Sequence, residues 1–167
     1  MNYLQELWAA LDFGSFRNIL LRLASVFLCL TTHETCHGLA AYALGDPTAK
    51  RMHRLSLNPL RHIDWMGLLM MVTLGFGWAK PVPVDPRYFR KPKQGMALTA
   101  LAGPVSNFLL ALVLLVGARI MVDHAAYSAL NQGILDFLVS TAVLSIGLGL
   151  FNLVPIPPLD GAKVLFS

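Results

Sequence analysis

Two histidines and a glutamate interrupt a greasy run, "LCLTTHETCHGLAAYAL", Leu28 to Leu44. His33 and His37 stand four residues apart, which on a helix puts both imidazoles on one face about a turn apart and lets them point at a single ion. Glu34 follows His33 directly, beside such an ion rather than on it, where its carboxylate can hold a water and take its proton. H-E-x-x-H on a helix is a known zinc-protease pattern, and zinc brings the pKa of a bound water down to about 7. In a soluble core, two hydrogen-bonded histidines with a glutamate would explain the pattern equally well. At bilayer depth each ionisable group costs about 2.5 to 3.5 kcal/mol on insertion scales, so three together without a purpose are improbable.

A catalytic zinc takes three protein ligands and leaves one position for water. The third candidate lies in "FNLVPIPPLDG", Phe151 to Gly161. Pro155, Pro157 and Pro158 must end the preceding helix, leaving Asp160 on non-helical backbone beside Gly161. Broken backbone at membrane depth is tolerated where it is buried in protein or lines a wet cavity. Asp160 level with the histidines would complete a His, His, Asp set. On this segment alone it reads equally well as a cap for a following helix.

The elements that must position these groups follow from composition. The chain has 167 residues, 56% hydrophobic and 13% charged, which is the profile of a membrane protein rather than a soluble domain. Its length suits one compact unit, residues 1–167, with no appended domain of usual size. About 20 apolar residues cross a bilayer. Three stretches qualify: Ile19 to Leu44, Gly95 to Val122 and Gly133 to Val154. A fourth, Trp65 to Ala79, is short for a crossing and reads as a tilted span, a re-entrant hairpin or a helix resting on the others. The expected fold is an all-α integral membrane bundle of three long helices plus this short segment. "KPVPVDP", Lys80 to Pro86, and "RLSLNPLRHID", Arg54 to Asp64, suggest a small β element at one membrane surface. Leu4, Leu7, Trp8 and Leu11 have the spacing of a short surface helix.

Net charge is +4, and nine of the 13 Lys and Arg residues fall between Gly45 and Gln94. In a hydrophobic chain, basic loops mark the cytoplasmic face, and no nucleic-acid partner is expected. If Trp65 to Ala79 dips in and returns, both basic loops share that face. The first and last long segments then run in the same direction, bringing His33, His37 and Asp160 toward it together. The cysteines, Cys29 and Cys36, lie seven apart on one helix, too far for a disulfide. His53, His62 and His124 sit in loops, where solvated histidines are expected. Nothing in the sequence sets an oligomeric state.

In order across three membrane segments, "HETCHG", "GPVSN" and "FNLVPIPPLDG" resemble the site-2 protease family of intramembrane zinc metalloproteases. "GDPTAK", "LNPLRHID" and "GWAKPVPV" resemble its small prokaryotic branch without an appended PDZ or CBS domain. The resemblance runs from about Leu20 to Leu165. It implies one zinc per chain held by His33, His37 and Asp160, with Glu34 as general base. It also implies a catalytic Asn152, eight residues before the aspartate, whose amide would donate to the oxyanion. Bridging two helices is the simpler role for Asn152, and for Asn107 of "GPVSN" it is the preferred one. The implied substrates are membrane-spanning or membrane-anchored proteins cut within or near the bilayer, and the implied location is a prokaryotic cell membrane with the site toward the cytoplasm. The competing reading is a metal transporter or sensor built on the same three ligands. Related sequences usually continue into a further helix beyond the position of Ser167, so the chain reads as shortened at its C-terminus.

Overall fold

A computed structural model describes residues 16–74, 80–124 and 129–166. The expected surface helix at residues 1–12 and the tail of the short apolar segment from residue 75 lie outside them. Six α-helices follow in order: α1 Phe16–Ala43, α2 Thr48–Arg51, α3 Trp65–Leu74, α4 Pro92–His124, α5 Ala129–Asn152 and α6 Asp160–Phe166. Among the described residues three helices, α1, α4 and α5, are long and apolar enough to cross a membrane. At 1.5 Å per residue the ten residues of α3 cover about 15 Å, half the hydrocarbon thickness.

The bundle is apolar outside and small or polar inside. Leu109, Leu112, Val113, Val116 and Ile120 of α4 are exposed, whereas Asn107, Thr141, Cys29 and Ser145 are among the largest fully buried side chains. Lipid tails are as apolar as leucine, so helices in a bilayer associate through close packing of small residues and through hydrogen bonds. Ser25 and Thr141 share a 2.7 Å hydroxyl bond between α1 and α5, and Ser145 on α5 donates to the Asn107 carbonyl on α4 at 2.8 Å. Residues 17–25 of α1 line one cavity with residues 130–140 of α5, and one turn further along α1 Cys29 Sγ donates to Thr141 O at 3.8 Å. The first and last spanning helices are therefore parallel, with α4 antiparallel between them.

The chain turns out of α1 at Gly45, whose φ of +107° is a left-handed conformation that glycine adopts without strain. Asp46 is fully buried, and its two oxygens join the two basic loops. Oδ1 accepts from Thr48 N at 2.9 Å and Oδ2 from Asp85 N at 2.7 Å. Arg54, also buried, donates to the carbonyls of Arg61, Lys80 and Pro81. Lys80 N donates to His62 O at 2.9 Å, so the apolar segment that leaves at Asp64 is back beside His62 at Lys80. Both basic loops therefore lie at one end of the bundle, the placement expected if the short apolar segment does not cross.

Two expectations are corrected. Among the described residues no strand forms: residues 80–85 run extended, but Pro81 and Pro83 lack N–H donors and the remaining bonds go to side chains and single carbonyls instead of a ladder. His62 is buried, not solvated. The turn at residues 56–62 packs on α1, where Thr35 Oγ1 donates to Ser56 O at 3.0 Å and His62 Nε2 lies 2.7 Å from Ser56 O and 3.5 Å from Thr35 Oγ1. His53 and His124 are exposed, as expected.

Candidate metal centre

The chain arrives at the site from three directions. α1 carries His33 and His37 on one face. α4 crosses over them at Gly103, where Pro104 follows within a continuous helix. Beyond α5 the proline-rich turn brings the start of α6 back to α1. That return depends on Gly161, because a Cβ there would lie 2.5 Å from the Leu153 carbonyl carbon and 2.6 Å from Val154 O. Asp160 is the first residue of α6, so it stands on helical backbone, contrary to expectation.

Three donor atoms converge. His33 Nε2 and His37 Nε2 are 3.0 Å apart, and Asp160 Oδ2 is 3.0 Å from the first and 2.9 Å from the second. All three residues are buried, at 3%, 8% and 5% exposure. Bonds of about 2.0 to 2.2 Å in a tetrahedral arrangement put zinc ligands roughly 3.3 Å apart, close to the observed triangle. Among the described residues this is the one group of three or more metal-binding side chains so placed. The outer atoms fit the same purpose. His37 Nδ1 is 2.7 Å from Thr99 O, which can only accept, so the proton sits on Nδ1 and the Nε2 lone pair faces the triangle. Lys163 Nζ donates to Asp160 Oδ1 at 3.0 Å, leaving Oδ2 for the histidines.

Space for an ion is also preserved. A Cβ on Gly103 would lie 2.5 Å from His37 Cε1 and 2.6 Å from His33 Nε2, inside the triangle's own territory. The glycine of "GPVSN" thus keeps α4 close without filling the site. A cavity of about 210 Å³ opens beside it, lined by Glu34, His37 and Asp160 together with Val82, Val84 and Thr99. Glu34 Oε2 accepts from Val82 N at 2.9 Å, tying the carboxylate to the extended Pro-Val segment.

The histidines, Asp160 and Glu34 are thus brought together. Asn152 is not in the triangle: its amide donates to Leu148 O of its own helix at 3.0 Å and neither lines this cavity nor bridges two helices. Cys36 is half-buried and free, and Cys29 is buried and free. Sequence reasoning undervalued Asn107, whose Nδ2 lies 3.1 Å from His33 Nδ1, and did not find Lys163 or the Thr99 carbonyl. Lys163 had a readable signal, three residues after Asp160 on one helix face. A backbone carbonyl leaves none.

Comparison with known proteins agrees with this geometry. The model of peptidase family M50 matches residues 116–167. "Putative zinc metalloprotease YwhC" of Bacillus subtilis is 40% identical over 146 residues, 84% of this chain and 65% of the relative. "Putative zinc metalloprotease Rip2" of Mycolicibacterium smegmatis is 32% identical over 153 residues, covering 87% and 56%, and the protein of that name from Mycobacterium tuberculosis is 34% identical over 146, covering 84% and 53%. The chain thus spans between about half and two thirds of the length of these relatives. No solved structure matches. The motifs on three helices, the metal-ready triangle and the similarity over most of its length agree: the chain belongs to peptidase family M50, the site-2 proteases.

Proposed function

We propose that this chain is the core of an intramembrane zinc endopeptidase, with one zinc held by His33, His37 and Asp160. The observation that carries the reading is the buried triangle of donor atoms, 2.9 to 3.0 Å on a side, opening on a cavity whose wall includes Glu34. Zinc bound there supplies a Lewis acid that polarises water and the peptide carbonyl. Glu34 is the general base: it takes a proton from the attacking water and returns it to the departing amine. Its bond to Val82 N holds the carboxylate at the cavity wall, so loop and base are set together. Asn152 is the candidate donor to the oxyanion, a role that requires the end of α5 to approach the cavity, since its amide here donates to Leu148 O.

Substrates are membrane-spanning or membrane-anchored proteins, because the cavity lies within a bundle whose outer surface suits lipid. A helical peptide bond is shielded by its own hydrogen bonds, so the cleaved segment enters unwound. Val82 and Val84 line the cavity and are its contact with an extended segment. Replacing both with bulky residues reduces cleavage; unchanged cleavage would dismiss this contact. The membrane is prokaryotic, as the relatives are bacterial, and the basic end faces the cytoplasm.

The deciding experiment compares Glu34→Gln and Asp160→Ala with the parent chain for zinc content and for cleavage of a reconstituted transmembrane substrate. Glu34→Gln keeps zinc and loses cleavage; Asp160→Ala loses both. A Glu34→Gln chain that still cleaves would remove the base from its role. Zinc flux across vesicles that depends on Asp160, with no cleavage by the parent, would favour the transporter reading.

A further inference from the structure

Resting on the metal reading above, we infer that Asn107 is a positioning residue for the ligand His33, with its side-chain oxygen accepting the His33 Nδ1 proton and so directing the Nε2 lone pair to the metal.

Asn107 is fully buried on α4, directly against His33 on α1. As placed, its Nδ2 lies 3.1 Å from His33 Nδ1. An amide N–H donating there would force the imidazole proton onto Nε2. That nitrogen already faces His37 Nε2 and Asp160 Oδ2, each at 3.0 Å, and with a proton it could not ligate. Amide oxygen and nitrogen are assigned from the hydrogen-bond network and not from shape. Here Asn107 Oδ1 is buried without a hydrogen-bond partner, so nothing on that side holds the amide in its placed orientation. Turned over, the amide presents Oδ1 to Nδ1, and the proton moves to Nδ1 where metal binding requires it.

The two ligand histidines are then served by one helix in two ways. His37 Nδ1 donates to a backbone carbonyl, Thr99 O, which no substitution removes. His33 relies on a side chain eight residues further along α4. Ser145 fixes that point of α4 by donating to the Asn107 carbonyl at 2.8 Å, an anchor that does not touch the imidazole.

The test is zinc competition against a chromophoric chelator on the detergent-purified full chain, paired with the visible spectrum of its cobalt form. Asn107→Leu, of similar volume without an acceptor, weakens zinc about 10- to 100-fold and alters the cobalt bands. Asn107→Asp keeps an acceptor at the same place and restores both. Ser145→Ala loosens the same helix junction and leaves zinc affinity unchanged. Folded Asn107→Leu that binds zinc like the parent overturns the proposal, as does Asn107→Asp no better than Asn107→Leu, or Ser145→Ala equally weakened. If Asn107→Leu does not fold, the Asn107→Asp and Ser145→Ala comparison decides: parental affinity in both supports the role, and weak binding in Asn107→Asp overturns it. A parent chain without zinc, or one indifferent to Asp160→Ala, refutes the metal reading itself and is told apart by that control.

Discussion

Gly103 illustrates how one hydrogen atom in place of a side chain governs a site. In an exposed helix, Gly→Ala stabilises by about 1 kcal/mol through backbone entropy. Here the new methyl would press on His33 Nε2 and His37, so the sign reverses. Gly103→Ala is expected to destabilise by about 1 to 3 kcal/mol, as overpacked sites do, and to lose zinc. Denaturation and zinc content together check it; a more stable variant that keeps its metal would mean that α4 has room to move away. Lys163 acts more gently. It occupies Asp160 Oδ1 from a half-exposed position, so Lys163→Met should leave zinc bound and weaken it by no more than about tenfold in chelator competition.

At the scale of elements, Glu34 and its loop are coupled through Arg54. This buried guanidinium reaches carbonyls of Arg61, Lys80 and Pro81, and so holds the start of the extended segment whose Val82 N–H is given to Glu34. Each buried carbonyl stranded by Arg54→Leu costs about 1 to 3 kcal/mol. The variant is expected to speed hydrogen exchange at the Val82 amide and lower cleavage, while zinc content stays parental because no ligand is touched. Unaltered exchange at Val82 would show that the segment holds its place without the clamp. Asp46 serves the same junction from the other side by capping Thr48 and accepting from Asp85 N. The "GDPTAK" and "PVPVDP" motifs are thus two halves of one joint, a relation invisible when each is read as a separate loop.

For the whole molecule, the return of the chain to His62 at Lys80 sets the sidedness. Both basic loops belong to one face, so single cysteines at Ser56 and Arg90, in a chain with Cys29 and Cys36 replaced by serine, should react with an impermeant maleimide from the same side of sealed vesicles. Labelling from opposite sides would contradict this placement. A metal at the triangle would join distant parts of the chain, since His33 and Asp160 are 127 residues apart. Under the proposed function, zinc at 100 times its dissociation constant adds about 2.7 kcal/mol to stability. Chelation should therefore lower the unfolding temperature of the parent and leave Asp160→Ala unaffected.

Much of this was legible in order along the chain because the relevant physics is local or compositional. Helical spacing alone places His33 and His37 on one face, apolar length marks three crossings, and the prolines after Asn152 end α5. Charge distribution favours two basic loops on one side. Other features depend on groups far apart in sequence. The meeting of Asp160 with the histidines needs the parallel run of α1 and α5 and the close turn at Gly161. Burial of His62 follows from the turn at residues 56–62 packing on α1, and at residues 80–85 the carboxylates of Glu34 and Asp46 meet the backbone N–H groups in place of a partner strand. Asn107 reads as helix glue in sequence, because only the crossing of α4 over α1 decides that its amide faces an imidazole. Spacing and hydropathy thus determined which groups enter the membrane and along which faces, whereas packing decided which of them touch, because contact between helices depends on close approach that local pattern does not encode.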